Sequence, residues 1–155
     1  MNEILIRPMT IGDYERVRDL WFTIRGFGIR ALDDSREDIA RFLERNPTTS
    51  VVAERDGEII GSILCGSDGR QGALYHVCVA PDFRRQGVGT RMVGHCMQRL
   101  REMGINKVAL IAFARNEGGN AFWRQIGWKP CDVNYYEFVL NAENITRFIG
   151  EDNED

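Results

Sequence analysis

The stretch Val77-Cys78-Val79-Ala80-Pro81-Asp82-Phe83-Arg84-Arg85-Gln86-Gly87-Val88-Gly89-Thr90 constrains this chain more than any other. An apolar strand passes through a Pro-Asp turn into two arginines and two glycines, which open a long helix. Such a junction aims unpaired backbone N–H groups and the positive end of a helix dipole at one point. Arg84 and Arg85 add positive charge beside it. Neither Gly87 nor Gly89 carries a Cβ, so an anion can approach the backbone closely. The junction reads as a seat for a phosphate. It ends in no Gly-Lys-Ser/Thr and lacks the G-x-G-x-x-G order, which excludes a Walker loop and a dinucleotide fingerprint. Taken alone, it also reads as a plain strand-to-helix turn with solvated arginines.

At 155 residues the chain has room for one domain with a full core. Residues 1–140 read as that domain and residues 141–155 as an acidic, flexible tail. Twenty basic against 23 acidic residues give a formal charge of -3, which argues against general nucleic-acid affinity. A basic patch on an acidic body suits a small anionic ligand instead. No apolar run reaches membrane-spanning length, and the charged start leads into a strand pattern and not a signal peptide. A cytoplasmic protein with no membrane partner is expected. Cys65, Cys78, Cys96 and Cys131 form no C-x-x-C pair and have only His76 and His95 to join them, so neither a metal site nor disulfides are expected.

The coarse pattern alternates. A strand over 3–7 precedes a capping box at Thr10 and Asp13 and a helix with apolar residues Tyr14, Val17, Leu20, Trp21 and Ile24. Ser35 and Asp38 cap a second helix. Strands over 50–55 and 58–65 flank Asp56-Gly57 as a hairpin. A strand over 73–79 feeds a helix over 87–103, whose stripe of Val88, Met92, Cys96, Leu100 and Met103 reads as core. A strand over 107–113, a helix over 116–126 and a last strand over 135–140 complete the order.

This βααβββαβαβ order, with Arg84-x-x-Gly87-x-Gly89 after its fourth strand, resembles the GNAT superfamily of acyl-CoA-dependent N-acetyltransferases. A second signature agrees: Asn116-x-x-Gly119-x-x-Phe122-Trp123-x-x-x-Gly127-Trp128 is similar to the family's asparagine-led run. The resemblance implies an α/β (α+β) fold: a mixed, mostly antiparallel central sheet, helices on both faces, and fourth and fifth strands that splay apart. It implies acetyl-CoA as cosubstrate, with no metal, held by backbone of Val77, Cys78 and Val79 in the gap, with one N–H there polarising the thioester carbonyl. Residues Arg84, Arg85, Gln86, Gly87, Val88, Gly89 and Thr90 would hold the pyrophosphate, and Asn116 and Phe122 would contact the cofactor arm. Asn116 reads almost equally as a plain helix N-cap.

The implied reaction is direct acetyl transfer from acetyl-CoA to a primary amine of a small molecule or a peptide. The alternative is a non-catalytic acyl-CoA-binding or sensory domain. The family's usual tyrosine acid is replaced by Trp123, whose indole N–H is no practical acid. The thiolate would then leave with help from Tyr135 or Tyr136 on the expected last strand, from a water, or without a dedicated donor, and Tyr135 is the candidate residue. The glutamate used by relatives that acetylate protein amino termini is replaced by Ile111, which disfavours a ribosomal-protein type of substrate. His76 is the candidate base, and also reads as a hydrogen-bonded histidine on a sheet face. The first two helices and their connection wall the acceptor pocket in the family. There Trp21, Arg25, Asp33 and Asp34, with Phe27 and Arg30, offer aromatic surface and both charges; Asp33 and Asp34 read equally as loop or capping acids. A homodimer is the assembly left open.

Overall fold

Local signals set most of the element boundaries. The Asp13 carboxylate accepts the Thr10 amide N–H at 2.9 Å, and Ser35 Oγ accepts from Asp38 N at 3.2 Å, so both expected helix starts are present. In the computed structural model, which describes residues 3–151, the chain runs β1 (Leu5–Pro8), α1 (Tyr14–Trp21), β2 (Gly28–Arg30), α2 (Arg36–Arg45), β3 (Val51–Arg55), β4 (Glu58–Ser67), β5 (Gly72–Val79), α3 (Val88–Glu102), β6 (Val108–Ala109), α4 (Glu117–Gln125) and β7 (Thr146–Phe148). Single 3₁₀ turns at Ile11–Asp13 and Pro81–Phe83 lead into α1 and toward α3.

The main sheet has the order β1-β3-β4-β5-β6. Its first three pairings are antiparallel and the β5–β6 pairing is parallel. Side-chain alternation sends Val51, Ala53, Ile63 and Cys65 to one face, where they meet Met92, Val93, Cys96 and Leu100 of α3. Val52, Ile59, Leu64 and Cys78 go to the other face, against Val17, Leu20 and Trp21 of α1 and Ile39 of α2. Burying each such aliphatic side chain stabilises the fold by roughly 1.5–3 kcal/mol. Both faces are thus covered by helices, as the resemblance implied.

The splay is visible in the ladder. β5 and β6 pair only at Gly72↔Val108 and Ala73↔Ala109, so the expected strand over 107–113 shortens to two residues and a gap opens beyond them. Two other readings need correction. Residues 129–140 form no strand and are all exposed, so the last strand expected over 135–140 is absent. The segment after Asn141, expected to be flexible, includes β7, which pairs antiparallel with β2 through Gly28↔Phe148, Ile29↔Arg147 and Arg30↔Thr146. Three residues per strand are too few for alternation to signal in the sequence. The end of the acidic tail, 152–155, lies outside the described residues. Cys65, Cys78 and Cys96 are buried and Cys131 is exposed, all as free thiols. No helix among the described residues is long and apolar enough to cross a membrane, and no group of three or more potential metal ligands occurs among them.

Candidate active site at the β5 bulge and the α3 N-terminus

The β4–β5 register slips by one residue. Gly61 and Ser62 pair with Val79 and Cys78, whereas Leu64 pairs with Tyr75. One residue of β4 therefore faces two of β5, His76 and Val77, in a β-bulge. His76 takes the left-handed conformation at φ 50°, which histidine adopts more readily than most non-glycine residues. The bulge lets Tyr75 and His76 share one face: Tyr75 meets Phe42 of α2, and His76 meets Trp21 of α1.

Beyond the bulge the backbone alternates again. Ala80 donates to the Ile60 carbonyl at 2.7 Å, so Cys78, two residues earlier, also directs its peptide groups toward β4. Val77 and Val79 then direct theirs into the gap beside β6. The Cys78 side chain is buried against Ser62 Oγ, 3.5 Å away, and burial pushes its thiol up to about 11. Of the three strand residues expected to bind the cofactor, the alternation turns two toward the gap and one away.

The chain then reaches α3 through two left-handed residues, Arg85 at φ 61° and Gly87 at φ 79°. Gly87 is the helix N-cap, its carbonyl accepting from Arg91 N at 3.0 Å. Helix geometry leaves the amides of Val88, Gly89 and Thr90 without intrahelical acceptors, and a glycine cap has no side chain to supply one. No atom lies within 4 Å of where a Gly87 Cβ would stand. Unpaired donors, a dipole end and open space fit a phosphate group. Gly89 differs, since its Cβ would stand 3.2 Å from the Phe122 ring. Its smallness admits Phe122 of α4, a packing role that the sequence did not reveal. Arg84 is folded back, its Nε donating to the Val79 carbonyl at 3.1 Å, while Gln86 Nε2 donates to the Asp82 carbonyl at 3.2 Å. Asn116 caps α4, its Oδ1 accepting from Gly119 N at 3.0 Å.

On the opposite side of β5 lies a cluster with a titratable centre. His76 Nε2 stands 2.8 Å from Asp34 Oδ1, with both side chains largely shielded from solvent. A carboxylate only accepts, so the ring proton resides on Nε2 and the lone pair on Nδ1. The Arg30 amide donates to Asp34 Oδ2 at 2.7 Å, and Tyr14 Oη donates to the Asp34 carbonyl at 2.6 Å. Trp21 and Phe27 flank the imidazole at centroid distances of 4.8 and 4.7 Å. Trp21 donates its indole N–H to Ser62 Oγ at 3.2 Å.

These contacts redistribute the expected acceptor residues. Asp34 has both oxygens engaged by His76 and Arg30, so it orients the histidine and offers no free carboxylate to a ligand. Trp21 is fully buried and forms the wall behind His76. Asp33 is exposed and held by Arg30 Nη1 at 3.2 Å and Asn144 Nδ2 at 2.9 Å. Arg25 is exposed and packs its stem beside Gly150. Tyr135 is 59% exposed and donates to Glu137 Oε2 at 3.1 Å; that carboxylate pushes its hydroxyl above the usual phenol range. Trp123 sits between Phe122 and Trp128, with centroids 4.9 and 4.8 Å away, in an aromatic row packed on the α3 side of the core. The Asp34–His76 pair spans 42 residues of sequence, and no local spacing announces it.

Comparison with known proteins agrees with this geometry. The model of the acetyltransferase (GNAT) family matches residues 14–128. Acetyltransferase ECA0875 of Pectobacterium atrosepticum is 32% identical over 127 residues, covering 82% of this chain and 89% of that protein. Among solved structures, PaiA N-acetyltransferase from Thermoplasma acidophilum in complex with coenzyme A superposes with a TM-score of 0.73 at 18% identity, over 85% of this chain and 93% of that one. Aminoglycoside N-acetyltransferase AAC(6')-Iy in complex with CoA superposes at 0.70 with 16% identity, over 91% and 97% of the two chains. A family match that takes in α1, the bulge, the α3 junction and α4 leaves one conclusion: this chain belongs to the GNAT family of acetyltransferases.

Proposed function

We propose that the chain transfers an acetyl group from acetyl-CoA to a primary amine of a small molecule or peptide, with His76 as proton acceptor and Asp34 as the residue that positions it. The observation that carries this reading is the bulge in β5, which turns Val77 and Val79 toward the gap and sets the neighbouring His76 against Asp34 of the segment before α2. When bound, acetyl-CoA supplies the acetyl group as an activated thioester. The α3 N-terminus and Arg85 bind the cofactor phosphates, and the Val77 and Val79 peptide groups align its arm as an added strand would be aligned. A backbone N–H at the bulge polarises the acetyl carbonyl. His76 Nδ1 takes a proton from the incoming ammonium, directly or through one water, because only a neutral amine has the lone pair to attack. Asp34 holds the tautomer that keeps Nδ1 available.

Tyr135 is the proton donor proposed for the leaving thiolate; its exposed hydroxyl, which donates to Glu137 Oε2 at 3.1 Å, supports that reading. Trp123, packed in its aromatic row, takes no acid role.

His76→Gln is expected to lower kcat/KM by about 10²-fold or more. Asp34→Asn, whose amide can donate to Nε2 and reverse the tautomer, should produce a similar loss. Both should leave CoA affinity within about twofold, as measured by calorimetry. Thiol release against a panel of amines reads the rate. Unchanged kcat/KM in His76→Gln would overturn the assignment, and CoA affinity without turnover on any amine would favour a binding module.

A further inference from the structure

The short β2–β7 ribbon has a different neighbour on each face. Gly28 pairs with Phe148, and the ladder runs on as Ile149 donates its amide to the Phe27 carbonyl at 2.9 Å, so alternation puts Phe27 and Phe148 on opposite faces. Phe27 meets the His76 imidazole, with centroids 4.7 Å apart. Phe148 lies over Gly28, whose Cβ would stand 3.2 Å from its Cε1, and meets Phe113, just beyond β6, at 5.8 Å. The ribbon therefore stands between the histidine of β5 and the segment that follows β6, at the mouth of the gap where those two strands part.

On the Phe113 side an arginine is held with its donors open. The Arg115 guanidinium lies over the Phe113 and Phe148 rings at 5.3 and 5.5 Å, which orients it without using its N–H groups. Glu151 Oε1 is 3.6 Å from its Nη2, and the two side chains are 63 and 39% exposed. That separation is beyond hydrogen-bond length, and an ion pair so exposed is weak. The exposed Arg25, whose stem packs on Gly150, adds a second positive charge to this end of the ribbon. The acids of the α1–α2 connection are engaged by contrast, Asp34 by His76 and the Arg30 amide and Asp33 by Arg30 and Asn144. A second ammonium on an acceptor at His76 finds neither of them open, whereas an anion finds an oriented, planar fork of donors.

We propose that Arg115 is a specificity-determining residue that selects amine acceptors carrying a carboxylate far from the reacting nitrogen, and that the acceptor is an acidic peptide; this rests on His76 receiving the proton of the amine. The length follows from the ribbon. A sheet and the layer packed on it stand about 10 Å apart, and His76 and Arg115 lie on the two sides of one, so amine and carboxylate are separated by on the order of 10 Å or more. Extended chain covers at most about 3.6 Å per residue. A free amino acid is too short to reach both, and the carboxylate belongs about three residues from the amino terminus. Phe148 and Phe113 offer the residues between an apolar surface.

Three amidated tetrapeptides, Ala-Ala-Glu-Ala, Ala-Ala-Gln-Ala and Ala-Ala-Lys-Ala, differ in one charge and test this by steady-state thiol release. On the wild type the Glu peptide should exceed the Gln peptide in kcat/KM by about tenfold or more, the size of one charge-assisted hydrogen bond, with the Lys peptide lowest. The difference should lie in KM and not in kcat, because Arg115 touches no reacting atom. Arg115→Gln should bring the Glu peptide down to the level of the Gln peptide, and Arg115→Lys, which keeps the charge without the fork, should retain only part of the preference. Equal kcat/KM for the Glu and Gln peptides on the wild type overturns the inference, and this reading needs no variant to fold. A preference that survives Arg115→Gln overturns it as well, and so does a fall in kcat on all three peptides, which would make Arg115 a structural residue. Turnover of other primary amines but of none of the peptides overturns it while the acetyl-transfer reading stands; turnover of no amine removes both.

Discussion

Gly87 and Gly89, two positions apart at the head of α3, serve different ends. At Gly87 the backbone is left-handed with empty space around it, so a Cβ there costs conformational energy and touches nothing. At Gly89 the cost is steric, because Phe122 Cζ stands 3.2 Å from the would-be Cβ. Gly87→Ala is therefore expected to destabilise by about 1 kcal/mol, lowering Tm by roughly 2–4 °C for a chain of this size. Its loss should add to that of Phe122→Ala. Gly89→Ala should instead couple to Phe122→Ala, with an interaction energy of about 0.5 kcal/mol or more in a double-mutant cycle. Thermal denaturation of the singles and doubles checks both, and additivity at Gly89 would mean that the ring moves aside freely.

At the scale of elements, α3 and the turn before it form the anion seat proposed for the cofactor phosphates. The two arginines there are not equivalent: Arg84 Nε is committed to the Val79 carbonyl, while Arg85 is exposed at the left-handed turn. Arg85→Ala should weaken CoA by about two- to fivefold at low ionic strength, the magnitude of one charge at a helix end. The difference should shrink as salt shortens the Debye length to about 3 Å near 1 M. Arg84→Ala should also disturb the strand end, seen as a loss of stability without ligand. Calorimetry at two salt concentrations separates the two effects.

For the whole molecule, one buried carboxylate joins three elements. Asp13 receives Arg7 of β1 at 2.7 and 2.9 Å and Arg16 of α1 at 2.8 Å, and the same arginines reach Glu54 of β3 at 3.0 and 3.2 Å. The bond from the Arg7 guanidinium holds the Asp13 carboxyl down at about 2, and reciprocally lifts Arg7 above its usual range. An unfolded aspartate titrates near 3.9. A group depressed on folding stabilises above the unfolded value, and the gain is lost as pH falls through the folded one. Stability should therefore drop by about 2 kcal/mol between roughly pH 4 and 2 from this group. Asp13→Asn should be less stable at pH 7 and show a shallower fall over that window in denaturant titrations.

What the sequence determined by itself is what acts over a few residues. The Thr10–Asp13 box, the Ser35 cap, the Asp56-Gly57 hairpin and the α3 stripe are all set by spacings of two to four, and each stands in the structure where those spacings place it, save that Met103, expected in the stripe, lies past the end of α3 and is 50% exposed. The tertiary structure decided whatever depends on which strand lies beside which. The β5 bulge arises from a one-residue mismatch with β4 and has no composition of its own, yet it turns Cys78 inward and brings His76 to Asp34, 42 residues away. The same long-range pairing holds β7 on β2 with only three residues apiece, and leaves the strand-like pattern over 133–140 without a partner in its own chain. A strand's pattern shows what it can bury, and only the neighbour it meets decides whether it does.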